Sequence, residues 1–363
     1  MRIAVVHPFT WADVRRGGER YAHDLAWWLA AQGHAVDYVT GGPAHGVTTD
    51  GGVRMVRLHH RHGDRLTGWG LDKTQTFGVT VLPWLARHRY DVVHAFVPSA
   101  AVASRMARQR TVFTAIGHPT PHNVGSARRL LVAASRAAHV TTALSQSAAD
   151  GLAAVVGRTP LVLPPGVRAD VFTPNIAPRL GPARLLFAAQ AGAPHKRLTD
   201  LLAAMPQVLA AQPQTRLVIG GGGAVPGGLP AEVAAAVDDI GTGSLDDVPQ
   251  RYRDATVTVL PSQDEAFGLV LVESLACGTP VVAARSGGMP EIVGTGAGVG
   301  ALTPVGDPAA LADAILATIG LAADPETPVR CVRHAEQWSW DQVGPRHVAA
   351  YDTALTTPSA RSK

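Results

Sequence analysis

The sequence predicts an α/β protein with two doubly wound domains, each built on a parallel sheet. Three observations lead to this prediction. The chain has 363 residues, which exceeds the size at which a single hydrophobic core is usual. Short β-branched runs alternate with Ala- and Leu-rich helical stretches, as βα units do. A proline-rich segment at 164–182 interrupts this alternation of strands and helices, which resumes after it.

The predicted elements follow from these runs in chain order. The helix ERYAHDLAWWLAAQG follows the first strand, and the helix LVLVESLACG precedes the last. The strands predicted in the N-terminal half are 3–6, 36–40, 91–96, 111–115 and 139–144. The strands predicted in the C-terminal half are 184–189, 216–220, 256–260 and 280–284.

The break in this alternation predicts the domain organisation. An N-terminal Rossmann-like domain covers 1–165, a hinge or linker covers 166–183, and a C-terminal domain covers 184–340. In 341–363 we expect a helix that packs back on the N-terminal domain, and then a flexible tail. Ligands of doubly wound sheets bind beyond the carboxyl ends of the strands, so we expect the two domains to face each other across a cleft.

Composition excludes several classes of protein. The content of 46% hydrophobic and 17% charged residues excludes a disordered chain. Cys277 and Cys331 are the only cysteines, which excludes a disulfide framework. The opening MRIAVVHP is too short for a signal peptide, and no apolar run reaches 18 residues. We therefore expect a cytoplasmic protein, and a peripheral contact with the inner membrane face stays open.

Charge is unequal between the two halves. Residues 1–175 hold nineteen Lys and Arg against ten Asp and Glu, whereas 176–363 hold thirteen against eighteen. The N-terminal half therefore favours anionic partners, either a phosphorylated acceptor or an acidic membrane surface. The basic residues are scattered and no nucleic-acid-binding motif accompanies them, so we expect no nucleic acid partner.

Two glycine-rich segments follow predicted strands. Gly17 and Gly18 stand at the start of the first helix, where backbone N–H groups can approach an anion, although a plain turn explains them equally well. Four glycines at 220–223 lack the G-x-G-x-x-G spacing and the acidic ribose-binding residue of a dinucleotide site. Hydride chemistry is therefore a weak candidate.

The stretch DEAFGLVLVESLACGTP, 264–280, carries the strongest signal. Glu265 lies in the loop that precedes a helix, and Glu273 lies within that helix, about 7.5 Å of rise beyond Gly268. We therefore expect the two carboxylates to contact two different hydroxyl-bearing parts of one elongated ligand. The N-terminus of the helix favours an anion between or beside them.

This stretch and the following SGGMPEIV resemble the signature of retaining glycosyltransferases of family 4, which have the GT-B fold. GGERYAHDLAWWLA, SQSAADGL and PPGVRADVFTP extend the resemblance over nearly the whole chain. The resemblance implies that Glu273 holds the ribose hydroxyls of a nucleotide sugar and that Glu265 faces the donor sugar. It implies an N-terminal acceptor domain and a C-terminal donor domain.

The resemblance also implies the remaining site residues. Lys196 occupies the position of a phosphate-binding lysine, whereas Gln190 and Ala191 stand where the family has an arginine. Arg197 is either the replacement for this charge or an ordinary residue at a helix start. His118 is expected to contact the donor sugar or its phosphate, and a plain loop histidine is the alternative. The expected catalytic residues are Glu265, Lys196 and His118, and the expected donor-binding residues are Glu273, Gly17, Gly18, Arg197, Phe267, Gly268, Leu269, Gly287, Gly288 and Met289.

The predicted reaction is transfer of a sugar from a nucleoside diphosphate sugar, UDP or GDP, to an acceptor hydroxyl with retention of configuration. The chain has no Asp-x-Asp sequence, so we expect no metal and no other cofactor. The acceptor is phosphorylated or lipid-linked, or else a small natural product, and we expect it at the loops 41–76 and 117–129. A nucleotide-sugar epimerase of the same architecture and a degenerate nucleotide-sugar-binding protein stay open as alternatives.

Overall fold

The structure is a computed structural model that describes residues 1–60, 73–118, 125–176, 181–243 and 246–358. The chain forms two compact units. Unit 1 consists of Met1–Gly166 and Trp340–Lys363, and unit 2 consists of Val167–Ser339.

Unit 1 holds an eight-stranded sheet in the order β3-β4-β2-β1-β5-β6-β7-β8, in which β3 alone runs antiparallel to its neighbour. The strands are β1 Arg2–Val6, β2 Ala35–Gly42, β3 Gly46–Asp50, β4 Val53–His59, β5 Val92–Ala95, β6 Thr111–Ala115, β7 Val140–Ala143 and β8 Leu161–Val162. The helices are α1 Gly17–Ala31, α2 Lys73–Arg87, α3 Pro98–Met106, α4 Ser126–Ala137, α5 Gln146–Val156 and, at the end of the chain, α13 Trp340–Thr356.

Unit 2 holds a six-stranded, all-parallel sheet in the order β11-β10-β9-β12-β13-β14. The strands are β9 Arg184–Phe187, β10 Arg216–Ile219, β11 Val237–Asp239, β12 Val257–Leu260, β13 Val281–Ala284 and β14 Gly300–Thr303. The helices are α6 Leu198–Ala211, α7 Ala231–Ala236, α8 Val248–Asp254, α9 Leu269–Ala276, α10 Met289–Val293, α11 Pro308–Ala322 and α12 Thr327–Ala335. Two 3₁₀ turns lie at Pro194–Lys196 and Glu336–Trp338.

All nine strands predicted from the sequence are present. The central strands are buried on both faces, which explains their continuous apolar runs. Helix α1 packs on its sheet through a stripe of Tyr21, Leu25 and Leu29, spaced four residues apart. The prediction of two doubly wound α/β sheets is therefore confirmed.

The prediction that 41–76 is a loop is wrong in part. Strands β3 and β4 form an antiparallel hairpin at the edge of the unit 1 sheet, and β4 pairs with β2 in parallel. The pattern GVTTDGGVRMVRLH gave little apolar signal because β3 is exposed along its whole length. Residues 61–72 and 119–124 of the predicted acceptor loops lie outside the described residues, and α4 already begins at Ser126.

The predicted linker 166–183 belongs to unit 2 from Val167 onward. Phe172 is buried and its ring lies 6.0 Å from that of Tyr252. The Asn175 N–H donates to the Cys277 carbonyl at 3.1 Å. The hinge role predicted for this segment stays a prediction, and the predicted tail after 358 lies outside the described residues.

In the described part of the chain, no single helix has both the length and the hydropathy needed to cross a membrane. One helix pair, Pro308–Ala322 and Thr327–Trp338, meets these criteria together, by length and composition only, and is bent by 105°.

A buried hydrogen-bond network holds α13 against the sheet of unit 1. The His347 Nδ1–H donates to the Val343 carbonyl at 2.9 Å, and its Nε2 accepts from the Tyr21 hydroxyl at 2.6 Å. On the neighbouring side, His94 pairs with the Tyr351 hydroxyl at 2.9 Å. Burial favours the neutral imidazole of His347, in which Nδ1 donates to Val343 and Nε2 is left to accept from Tyr21.

These histidines make the stability of unit 1 depend on pH. Burial lowers the pKa of His347 from 6.5 to about 4, and burial also lowers the pKa of His94. The unfolded chain therefore binds more protons below pH 6.5, and the free energy of unfolding falls as the pH falls toward 4. His347 alone should cost about 2 kcal/mol at pH 5. Urea unfolding at pH 7.5 and pH 5 measures this, and His347→Gln should show a smaller pH dependence than the exposed control His45→Gln. Equal pH dependence of the two variants would contradict the assignment.

Candidate functional site

The site predicted in unit 2 lies where its sheet changes winding direction. Strand β9 is central, β10 and β11 lie on one side of it, and β12 to β14 lie on the other. The carboxyl ends of β9 and β12 therefore form the topological switch point, where doubly wound sheets bind ligands. Lys196 follows β9 and Glu265 follows β12.

Lys196 and Glu265 form an ion pair. The Lys196 Nζ donates to Oε2 of Glu265, and the two side chains are 20% and 18% exposed. The backbones of the two loops are also joined, since the Gln263 N–H donates to the His195 carbonyl at 2.7 Å. The structure thus brings together two residues that lie 69 positions apart and that the sequence assigned to catalysis.

Each partner of this pair adjoins a residue with left-handed backbone. Among the described residues, the non-glycine residues with positive φ are Arg108, Arg197 (φ 52°) and Asp264 (φ 55°). This conformation costs a non-glycine residue roughly 1–2 kcal/mol. The Asp264 N–H donates to the Ser286 Oγ at 2.9 Å, which helps to hold the turn. Two of the three strained positions therefore lie beside the ion pair, as is common at functional sites.

Glu273 projects from α9 into the interior of unit 2 and is only 3% exposed. Its Oε2 accepts a hydrogen bond of 2.7 Å from the hydroxyl of Tyr252, which lies on α8. A buried carboxylate needs such partners because desolvation of the charge is costly. The sequence gave no signal for Tyr252, since it stands 21 positions away.

The glycine loop after β13 packs directly on the loop of Glu265. Gly287 has φ 56°, and a Cβ there would lie 1.9 Å from the Glu265 carbonyl oxygen. The Gly288 N–H donates to this same oxygen at 2.8 Å, and the Met289 N–H donates to the Ser286 carbonyl at 3.3 Å. The amides of two of the three predicted donor-binding residues in this loop thus have acceptors within the protein. The role of the Gly287 amide stays a prediction.

The other predicted donor-binding residues of unit 2 surround the start of α9. Gly268 precedes the helix with φ 103°, and Leu269 begins it, partly buried. Phe267 and Met289 are buried, so their side chains support the loops from inside. Their direct contact with a ligand stays a prediction.

Arg197 is held at the start of α6. Its guanidinium pairs with the Asp200 carboxylate through Nε at 2.6 Å and Nη2 at 3.1 Å, and its Nη1 lies 3.5 Å from the Gln263 Oε1. This geometry favours the alternative in which Arg197 is a residue of the helix start. Its predicted contact with the donor stays a prediction.

Gly17, Gly18 and His118 belong to unit 1, at the carboxyl ends of β1 and β6. A Cβ on Gly18 would lie 2.7 Å from Ile116 Cδ1, whereas Gly17 has open space around it. His118 is partly exposed, and its Nε2 lies 3.2 Å from the Ser147 Oγ. Its buried Nδ1 has no hydrogen-bond partner among the residues that the structure describes, and a ligand could satisfy this polar atom.

Comparison with known proteins shows which family the chain belongs to. A family model described as Glycosyltransferase Family 4 matches residues 15–171, and one described as Glycosyl transferases group 1 matches 182–320. A D-inositol 3-phosphate glycosyltransferase 1 of Catenulispora acidiphila is 32% identical in an alignment of 316 residues that covers 73% of this chain and 73% of that relative. The chain belongs to glycosyltransferase family 4.

Other relatives agree with this assignment. A D-inositol 3-phosphate glycosyltransferase of Geodermatophilus obscurus is 33% identical over 77% of this chain, and the chain spans 65% of the length of that relative. A phosphatidyl-myo-inositol mannosyltransferase of Propionibacterium freudenreichii subsp. shermanii is 28% identical, over 98% of this chain and 95% of its own length.

Solved structures agree in fold. A sucrose-phosphate synthase from Thermosynechococcus elongatus matches with a TM-score of 0.81 and 21% identity, over 98% of this chain and 100% of that one. Anabaena Alr3699/HepE, in complex with UDP and glucose, matches with a TM-score of 0.74 and 19% identity, over 97% of this chain and 100% of that one. The fold is therefore GT-B, with two Rossmann-like domains, as the resemblance implied.

The family's arginine position is filled by a loop that packs on the glycines at 220–223. The Ala191 N–H donates to the Gly222 carbonyl at 2.7 Å. A Cβ on Gly221 would lie 2.0 Å from the Ala189 carbonyl oxygen. The four glycines therefore allow the loops after β9 and β10 to touch. Arg251, which the sequence gave no reason to single out, donates to the carbonyls of Gly220 at 2.7 Å and Gly241 at 3.2 Å.

The contact between Gly287 and Glu265 can be tested by substitution. Gly287→Ala should lower the free energy of unfolding through its positive φ and through the clash with the Glu265 carbonyl. The matched control is Gly296→Ala, which also has positive φ (78°) but open space around it. The control should lower the free energy of unfolding by about 1–2 kcal/mol, and Gly287→Ala should lower it by roughly 1–3 kcal/mol more. Equal costs in urea unfolding would show that the two loops are not in this close contact.

Proposed function

We propose that the protein is a retaining glycosyltransferase that transfers a sugar from a nucleoside diphosphate sugar to an acceptor hydroxyl. The observation that carries the proposal is the Lys196–Glu265 ion pair at the switch point of the unit 2 sheet. A cation at this place suits a diphosphate, and the family gives the reaction class.

The donor diphosphate is assigned to Lys196. Its ammonium group is partly exposed, so it can exchange the Glu265 carboxylate for phosphate oxygens. Helix α9 begins at Leu269, four residues after Glu265. Its N-terminus adds a positive partial charge to the same loop. Both sources of charge favour a leaving group that becomes more negative as the bond to the sugar breaks.

The donor ribose is assigned to Glu273. An ionised carboxylate accepts hydrogen bonds from two adjacent hydroxyl groups, and the Tyr252 hydroxyl holds it in place. Because Glu273 is buried, these bonds are worth more than they are in water. UDP is the first candidate nucleotide, in view of the fold shared with the Anabaena protein solved with UDP, and GDP is the second.

The chemical step breaks the bond between the anomeric carbon and the diphosphate oxygen and forms a bond from this carbon to the acceptor oxygen. The acceptor oxygen attacks from the face of the sugar on which the phosphate departs, so that the configuration is retained. The departing phosphate takes the proton of the acceptor hydroxyl. Lys196 stabilises the negative charge, and Glu265 faces the sugar. The described residues contain no group of three His, Cys, Asp or Glu that could hold a metal ion, and we propose a metal-independent reaction on the absence of Asp-x-Asp.

The acceptor is assigned to unit 1 and to the class of phosphorylated polyols. Relatives are named for inositol phosphate and phosphatidyl-inositol substrates. In this chain Arg128 and Arg129 lie exposed in the first turn of α4, which has no acidic residue. Cations are unfavourable at a helix N-terminus, so two arginines there suit an anionic ligand at the carboxyl edge of the sheet.

Two substitutions separate the ribose and diphosphate assignments. Glu273→Gln should weaken binding of UDP or GDP about 10-fold or more while leaving inorganic diphosphate unaffected, because only the nucleotide carries a ribose. Lys196→Gln should weaken both ligands by a similar factor, about 10-fold or more, because both carry the diphosphate. Isothermal titration calorimetry measures these constants.

The matched control for these titrations is the exposed Glu326→Gln of unit 2, which also changes one charge. It should bind each ligand as the wild type does. If Glu273→Gln bound the nucleotide as tightly as the wild type, the ribose assignment would be wrong. If neither UDP nor GDP bound the wild type, the proposed function itself would fail.

A further inference from the structure

The last segment of unit 2 packs on the candidate donor site. Trp338 is 8% exposed, and its ring meets that of Phe267 edge to face, with centroids 6.5 Å apart and planes at 74°. The ring of His334 meets the Trp338 ring in the same manner, at 5.4 Å and 72°. The His334 Nε2–H donates to the Ile292 carbonyl at 2.7 Å.

These contacts reach both loops of the site. Phe267 lies two residues after Glu265, and Ile292 lies on α10, directly after the glycine loop. The two loops also meet each other, because a Cβ on Gly268 would lie 3.3 Å from Met289 Cγ and 3.5 Å from Ile292 Cδ1. Trp338 and His334 thus connect the Phe267 turn with α10.

The position of Trp338 is fixed by its own backbone. Its carbonyl accepts a hydrogen bond of 2.8 Å from the Val167 N–H, and Ser339 forms a parallel β-bridge with Val167. The segment that enters unit 2 and the segment that leaves it are therefore joined beside this ring. The backbone of Trp338 is therefore held by contacts outside the two loops.

We propose that Trp338 is a positioning residue of the donor site. Its ring holds the Phe267–Gly268 turn, and through His334 it holds α10, so that the Glu265 loop and the glycine loop keep the spacing that a bound nucleotide sugar requires. The inference rests on the proposed function, because it concerns the ligand assigned to that site.

Trp338 also offers its own spectroscopic signal. It is the only tryptophan in 167–339, because the other six stand at positions 11, 27, 28, 69, 84 and 340. An indole ring in contact with the Phe267 turn changes its surroundings when the loop takes up a ligand. Binding of a nucleotide should therefore alter its fluorescence.

The experiment titrates UDP and GDP into the wild type, Trp338→Leu, Trp338→Phe and Trp340→Phe. Trp340 is the matched control because it is equally buried, belongs to unit 1 and has its ring stacked on that of Trp28 at 6.2 Å. Trp338→Leu should raise the Kd for the nucleotide about 2- to 10-fold, the range of an aromatic pair. The Kd of Trp338→Phe should stay within about 2-fold of the wild-type value, because this variant keeps an aromatic ring.

The Kd measured for Trp338→Phe separates positioning by an aromatic ring from simple core packing, and the fluorescence readout shows whether binding is sensed at the Trp338 ring. The nucleotide-induced change should persist in Trp340→Phe and disappear in Trp338→Phe, a variant expected to remain folded. Unchanged Kd in Trp338→Leu, or a full fluorescence change in Trp338→Phe, would overturn the inference while leaving the proposed function intact. If the wild type bound neither nucleotide, both this inference and the proposed function would be wrong.

Discussion

The pairing of Lys196 with Glu265 is the interaction on which the candidate site depends. It joins the loops after β9 and β12, the two adjacent strands between which the sheet of unit 2 changes winding direction. Right-handed crossovers send the chain to opposite faces of the sheet from these strands, which leaves a gap above their carboxyl ends. The ion pair places opposite charges in this gap. A ligand with a diphosphate and sugar hydroxyls offers partners to both.

The residues beside the ion pair have a strained backbone and closely packed loops. Arg197 and Asp264 adopt left-handed backbone directly beside it, and this conformation is unfavourable for residues with a Cβ. Gly287 allows a second loop to approach the Glu265 carbonyl more closely than any side chain would permit. Strain of this kind persists only where the packing around it determines the conformation. In unit 2 that packing comes from buried residues such as Phe267 and Met289, and from the segment around Trp338.

Much of the fold could be predicted from the sequence because buried parallel strands carry short apolar runs, and α1 carries an apolar stripe. The hairpin of β3 and β4 could not, because β3 is exposed and has no apolar face. Family resemblance selected Lys196, Glu265 and Glu273. It could not show that Lys196 and Glu265 touch, since loops 69 residues apart meet only through the sheet order.

Finer details of the site were equally invisible in the sequence. Tyr252 reaches Glu273 from another helix, and no spacing reveals this contact. Gly288 was expected to bind the donor, but its amide donates to the Glu265 carbonyl. Arg197 was a candidate for the missing phosphate-binding charge, but the Asp200 carboxylate three residues later engages its guanidinium. In each case a competing partner within the protein decides where a polar group points, and that partner is known only once the chain is folded.

The central claim is that Lys196, with no metal ion, carries the charge of a departing diphosphate in a retaining sugar transfer. The most direct test is NMR spectroscopy of reactions that contain UDP- or GDP-sugars, myo-inositol phosphate and EDTA, with wild type and Lys196→Gln. We expect an α-linked product from an α-linked donor, no transfer to unphosphorylated inositol, an unchanged rate in EDTA and a rate about 100-fold or more lower in Lys196→Gln. A β-linked product, or a rate that EDTA abolishes and Mg²⁺ restores, would contradict it.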